Sequence, residues 1–160
     1  MKIRIIPFFS PITPKQRRIE TISLLRVDEE QIVTKEEYIS KYDPQKTNDK
    51  FFLFVGTGGT ENAIAAFADQ SKLKPPIVLL SYEFNNSLPA AMETRRYLED
   101  LGQKAQIIHG TLDELAFSIK LWNKFADIID KLHTYRIGII GTPSEWLMAS
   151  KVDKEAIKEI

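Results

Sequence analysis

Four short stretches hold most of the side chains able to do chemistry in this chain. Gly56-Thr57-Gly58-Gly59-Thr60-Glu61-Asn62 places three glycines before a helix-forming run. Bare amides there can approach a ligand's oxygens at the positive end of the helix dipole. Ser81-Tyr82-Glu83-Phe84-Asn85-Asn86-Ser87-Leu88-Pro89 offers amides and hydroxyls of the kind that hydrogen-bond sugar hydroxyls. The same residues can cap a helix, with Asn86 or Ser87 as the N-cap. His109-Gly110-Thr111 is the third stretch, and Gly141-Thr142-Pro143-Ser144-Glu145-Trp146 the fourth. Thr142 and Glu145 fit a Thr-x-x-Glu capping box, which makes Glu145 a capping carboxylate before a general base. Trp146 faces either core or cleft.

Glu61 and Glu83 are the remaining carboxylates near these stretches, and a facing pair serves acid–base work in principle. Glu61 in a first helical turn is also what the helix dipole alone favours. His109 and His133 are the only imidazoles, and they lack H-E-x-x-H or H-x₃-H spacing. Cysteine is absent, so thiolate sites, disulfides and a Cys nucleophile are excluded. No metal site and no cofactor are expected in this chain. The glycine-rich stretch fails as a dinucleotide fingerprint because Glu61 stands where the third glycine belongs, and neither G-x-x-x-x-G-K-[ST] nor G-x-S-x-G occurs.

The elements that must hold these stretches alternate along the chain. Ile3-Arg4-Ile5-Ile6-Pro7-Phe8, Phe51-Phe52-Leu53-Phe54-Val55, Ile77-Val78-Leu79-Leu80 and Ile137-Gly138-Ile139-Ile140 are short apolar runs. Near-continuous apolarity in the second and third suits strands covered on both faces, as in a parallel sheet. Gln106-Ile107-Ile108 and the weaker Gln31-Ile32-Val33 are further strands. Thr34/Glu37, Thr111/Glu114 and Thr142/Glu145 each fit a capping box and mark three helix starts. Leu112, Leu115, Ala116, Ile119, Trp122, Ala126 and Ile129 form one helical stripe; Ala91, Thr94, Leu98 and Leu101 before Gly102 form another. Segment 10–27 is the least readable, although Pro14 can open a helix carrying Ile19, Ile22 and Leu25. The expectation is one α/β domain over 1–160, a three-layer α/β/α open and mostly parallel sheet of flavodoxin/Rossmann-like type. In such a sheet ligands collect beyond the carboxyl ends of the strands.

Charge and length bound the partners. Lys and Arg number 22 against 22 Asp and Glu, so no basic excess attracts nucleic acid or anionic lipid. The apolar start at residues 3–9 is too short for a signal peptide, and no run approaches a bilayer span. A soluble cytoplasmic protein with a small-molecule partner is expected. The end, Lys151 to Ile160, reads as a helix without a closing cap, either continuing in a longer protein or fraying.

Taken together, Phe54-Val55-Gly56-Thr57-Gly58-Gly59-Thr60-Glu61, Asn85-Asn86-Ser87-Leu88-Pro89-Ala90-Ala91-Met92-Glu93 and Ile139-Ile140-Gly141-Thr142-Pro143-Ser144-Glu145-Trp146-Leu147 resemble the N-terminal domain of the L-fucose/L-arabinose isomerase group. The resemblance implies an aldose–ketose isomerase-like protein whose Mn²⁺ is held by later domains absent from these residues. It implies substrate contacts at Gly58, Gly59, Thr60, Glu61, Asn86, Ser87, Ser144 and Trp146, no catalytic residue here, and a homo-oligomer or partner domain covering the cleft. Two other readings stand beside it. One is a stand-alone sugar-binding module of the periplasmic-binding-protein kind, which needs a second lobe to close on its ligand. The other is a single-domain enzyme in which Glu61 and Glu83 face each other.

Overall fold

The computed structural model describes residues 2–43, 46–132 and 134–136. Four strands, β1 (Ile3–Phe8), β2 (Lys50–Val55), β3 (Ile77–Tyr82) and β4 (Ala105–Gly110), form an all-parallel sheet in the order β1-β2-β3-β4. Helices α1 (Lys15–Ser23), α2 (Lys35–Lys41), α3 (Glu61–Ser71), α4 (Ser87–Asp100) and α5 (Leu112–Leu132) cover it. The expected α/β architecture is present. The strand expected at 137–140, the capping box at Thr142/Glu145, His133, Ser144 and Trp146 lie outside the described residues. None of the described helices is long and apolar enough to cross a membrane.

Strand residues alternate between two cores, as the pleat requires. Ile6, Phe8, Leu53, Val55, Ile77 and Leu79 pack with Tyr38 of α2, Ile64 and Phe67 of α3, and Ala91 and Leu98 of α4. Ile3, Ile5, Phe52, Phe54, Val78 and Leu80 pack on the other face with Leu25, just past α1, and with Leu115 and Ile119 of α5. This two-sided burial explains why β2 and β3 read as unbroken apolar runs. Each such side chain contributes roughly 1.5–3 kcal/mol on leaving water.

The Gln31-Ile32-Val33 strand is reduced to one parallel bridge between Ile32 and Ile5, with the Val33 amide donating to the Ile5 carbonyl at 2.9 Å. A 3₁₀ turn at Glu29–Gln31 ends just before it, and Thr34 already caps α2, so only two residues are free to extend. Short as it is, the bridge lies on the edge of β1 away from β2 and sets the topology. The chain leaves β1 through α1, touches that outer edge, then recrosses β1 through α2 to reach β2. In space the order is the Ile32 bridge, β1, β2, β3, β4, a doubly wound, flavodoxin-like arrangement that reverses direction at β1.

Edge chemistry at β1 follows from this. Residues 2 and 8 direct their carbonyls to β2, where the Lys50 and Gly56 amides bond them, so residues 3, 5 and 7 face outward. Ile3 is satisfied there by side chains, its amide donating to Asn123 Oδ1 at 3.3 Å and its carbonyl accepting from Gln31 Nε2 at 3.0 Å. Pro7 occupies the outward position beyond Ile5, where no ladder bond is lost.

Asn123 shows that α5 crosses from β4 back to β1. The sheet is narrower than the helix, since four strands about 4.8 Å apart span less than the roughly 30 Å of a 21-residue helix. Leu115, Ile119 and Ala126 are therefore buried, whereas Ile129, expected on the same stripe, is exposed beyond the sheet. Leu101 is likewise exposed at the end of α4, past the buried Ala91, Thr94 and Leu98. Ile19 of α1 also faces solvent, while Leu25 is buried.

Replacing Leu79, fully buried in the central strand β3, by alanine is expected to cost about 3–5 kcal/mol. A urea titration with an unchanged slope reads this as a shift in midpoint, and a loss under 1 kcal/mol contradicts the packing described.

Candidate functional site at the carboxyl edge of the sheet

In a doubly wound sheet the crevice forms where the connections of neighbouring strands leave toward opposite faces. Here that place lies between β1, whose connection goes to α1, and β2, whose connection goes to α3. The hydrogen bonds show how the two strands separate. The last ladder bond runs from the Gly56 amide to the Phe8 carbonyl at 2.7 Å. One step further, the Ser10 amide belongs with the Gly56 carbonyl and the Gly58 amide with the Ser10 carbonyl. Neither bond forms. The Ser10 amide instead donates to Thr57 Oγ1 at 2.7 Å, and the Gly56 carbonyl accepts from the Tyr82 hydroxyl at 3.1 Å. The Gly58 amide donates to the Asn85 carbonyl at 2.7 Å. The Ser10 carbonyl accepts from the Thr13 amide and from Arg18 Nη2, and the same guanidinium also reaches the Pro11 and Thr13 carbonyls. Every group freed by the parting strands has another partner, so the crevice opens without leaving buried polar groups unpaired.

The glycine-rich loop and the loop after β3 are fitted to each other. A Cβ on Gly58 would stand 2.9 Å from Asn86 Cβ and 3.3 Å from the Asn86 carbonyl, so only glycine permits this approach. Gly59 turns with φ +73°. Asn85 and Asn86 both adopt left-handed backbone conformations, φ 58° and 55°, which asparagine tolerates better than most residues. The Asn85 side-chain amide donates to the Tyr82 hydroxyl, which ties the loop down to the sheet.

The resemblance-derived positions among the described residues separate into two groups. Thr60 and Ser87 are buried, at 2% and 1% exposure, and their hydroxyls are engaged inside the fold. Thr60 Oγ1 donates to the Thr57 carbonyl at 2.8 Å; Ser87 Oγ donates to the Val55 carbonyl and accepts from the Tyr82 amide at 3.0 Å. Gly58, Gly59, Glu61 and Asn86 reach the surface of the edge. Glu61 accepts from the Gly59 amide at 3.3 Å. Glu83 is exposed on the following loop and is not hydrogen-bonded to Glu61.

The helix starts differ in a way that bears on ligands. α2 and α5 carry the expected capping boxes, Thr34 with Glu37 and Thr111 with Glu114, each with both reciprocal bonds in place. α1, α3 and α4, which begin around the crevice, start at Pro14, Thr60 and Asn86, none of which accepts a hydrogen bond from a helix amide through its side chain. Asn86 is thus the N-cap position by geometry, while its side chain makes no capping bond.

His109 is exposed at the end of β4, with Nδ1 3.0 Å from the buried Ser81 hydroxyl. Two strands separate it from the crevice. Among the described residues there is no group of three or more His, Cys, Asp or Glu placed to hold a metal ion. A cleft of about 500 Å³ lies away from the strand ends, between residues 26–31 and α5, where Arg26 and Asp113 form an exposed ion pair at 2.6 Å. Ser10, Arg18 and Thr57 were not among the expected site residues. The only sequence signal for them is that Ser10 follows a strand and Thr57 stands between two glycines. A scan against protein-family models found no matching family, and searches of curated proteins and of solved structures found no match.

The start of α5 yields a pH prediction. The Thr111 amide, then the Thr111 hydroxyl, with His109 adding to them, hold the Glu114 carboxyl below its ordinary range. A lowered carboxyl stabilises the folded state above its unfolded value, and this contribution is lost as pH falls through the folded value. The protection of the Thr111 amide, its exchange rate taken relative to the intrinsic rate at the same pH, is therefore expected to fall on acidification below the ordinary carboxylate range. Glu114→Gln should remove that dependence; an unchanged pH profile in the variant contradicts the cap.

Proposed function

We propose that the chain is the N-terminal, substrate-contacting and assembly domain of an aldose–ketose isomerase-like protein of carbohydrate metabolism, acting in the cytoplasm and inactive by itself. The observation that carries the ligand class is Glu61. A bare helix start beside glycine amides ordinarily invites phosphate, but here a carboxylate already sits in the first turn and accepts from the Gly59 amide. An anionic ligand meets repulsion at that point. A neutral polyhydroxyl ligand does not, since its hydroxyls can donate to Glu61 and accept from loop amides and Asn86. That combination favours a sugar over a nucleotide or sugar phosphate.

The manganese implied for such an isomerase would be held by later domains and not by the residues described. Among the latter, no group of three or more His, Cys, Asp or Glu is placed to hold a metal ion. Assembly is supported by the outer face of α5, where Phe117, Phe125 and Leu132 are 68%, 46% and 57% exposed. A helix apolar on two faces is suited to burial on both.

An open edge with a neutral ligand implies weak binding, on the order of millimolar, until another subunit or domain covers it. Titration of the isotope-labelled chain with L-fucose or L-arabinose should shift the Gly59, Asn86 and Ser10 amides, whereas inorganic phosphate at equal concentration leaves them in place. Phosphate binding more tightly than sugar, or shifts confined to the amino edge, would falsify the reading. Interconversion of either sugar by this chain is expected to stay at the blank rate with manganese present.

A further inference from the structure

We infer that Thr57 is a positioning residue that, together with Arg18, clamps the β1–α1 loop at Ser10 and fixes the width of the crevice. The inference rests on the reading of the crevice as the ligand site, but its central claim is about the loop itself. Beyond the last ladder bond, the partner that regular pairing offers to the Ser10 amide, the Gly56 carbonyl, is taken by the Tyr82 hydroxyl. Thr57 Oγ1 receives that amide at 2.7 Å and so replaces a backbone acceptor by a side-chain one, just where the strands must part. On its other side Ser10 is held through its carbonyl by Arg18 Nη2 at 3.2 Å and the Thr13 amide at 2.9 Å. Arg18 Nε reaches the Thr13 carbonyl at 2.8 Å and Nη2 the Pro11 carbonyl at 3.0 Å, so one guanidinium gathers three carbonyls of the loop.

Thr57 is itself fixed, because its carbonyl accepts from the Thr60 hydroxyl at the start of α3. The β1–α1 loop and the glycine-rich loop thus move as one body. Thr57 is almost fully buried, which gives it a part in holding the walls rather than in touching a ligand. Only the hydroxyl of Thr57 enters the clamp; serine supplies the same group, and valine, equal in shape, does not.

The experiment uses the full chain as wild type, Thr57→Val, Thr57→Ser and Arg18→Gln. Amide exchange at Ser10, referenced to Leu53 and Leu79 in the core, should accelerate by about tenfold in Thr57→Val, the order expected for one hydrogen bond. It should return in Thr57→Ser. Arg18→Gln, at a partly exposed helix position, should accelerate Ser10 without altering the core amides, and it keeps the test open if the valine variant unfolds. L-fucose titration should need several-fold more sugar in Thr57→Val and Arg18→Gln, and the wild-type amount in Thr57→Ser. Unchanged Ser10 exchange in both Thr57→Val and Arg18→Gln overturns the clamp, as does failure of serine to restore it while the core is intact. If the wild type shows no response to fucose, the sugar reading falls, and the Ser10 exchange still decides the clamp.

Discussion

The structure turns on one constraint: the pairing of β1 with β2 must stop at Gly56 because the two strands feed helices on opposite faces. A parallel ladder has no natural end, since each further residue adds a bond. Stopping it exposes donors and acceptors that cost about 1–3 kcal/mol each if buried unpaired. This chain meets that cost at four freed groups with partners from Thr57, Tyr82, Asn85, Thr13 and Arg18. Tyr82 is central among them. Its ring is buried in the α5-side core against Phe54, at 5.7 Å between centroids, while its hydroxyl joins the Gly56 carbonyl to the Asn85 side chain. The hydrophobic layer and the polar rim are therefore coupled through a single side chain.

The topology that imposes this constraint depends on the weakest element. Had Ile32 not paired outside β1, nothing would send α1 and α2 to opposite faces, and the connections after β1 and β2 would run the same way. Two residues suffice because α1 and the 3₁₀ turn bring them there already oriented, and because Gln31 and Asn123 satisfy the rest of the β1 edge.

Much of this was legible in the sequence, and the boundary of what was legible has a physical reason. Continuous apolar runs at 51–55 and 77–80 announced strands covered on both faces, and Thr-x-x-Glu at 34 and 111 announced helix starts, because in both cases the signal is local. Ile129 and Leu101 were expected on buried stripes, since periodicity tells which face of a helix is apolar and not where the sheet beneath it ends. The crevice itself was the hardest to read. The glycine-rich loop drew attention through composition, but its counterpart across the crevice, Ser10 to Arg18, has no motif. Its role comes from a hydrogen bond to the glycine-rich loop 47 residues away, and nothing local encodes that distance.

The same comparison separates residues that look available from residues that are. Thr60 and Ser87 have the composition of ligand-binding positions, yet the Thr60 hydroxyl closes the glycine-rich loop on the Thr57 carbonyl and the Ser87 hydroxyl ties its loop to Val55 and Tyr82 of the sheet. What remains outward is a set with little mobility: Gly59 at positive φ, Asn86 in a left-handed conformation beside Gly58, and Glu61 drawn back to its own loop. Left-handed backbone at two successive asparagines persists only where the surroundings over-determine it. Here they do so through the Gly58 amide on Asn85 and the contact of Gly58 with Asn86. A rim held this firmly has little conformational entropy left to lose when a ligand arrives. The affinity of this edge is therefore set by how much of the ligand is covered, which directs attention to what lies over the crevice more than to any change within it.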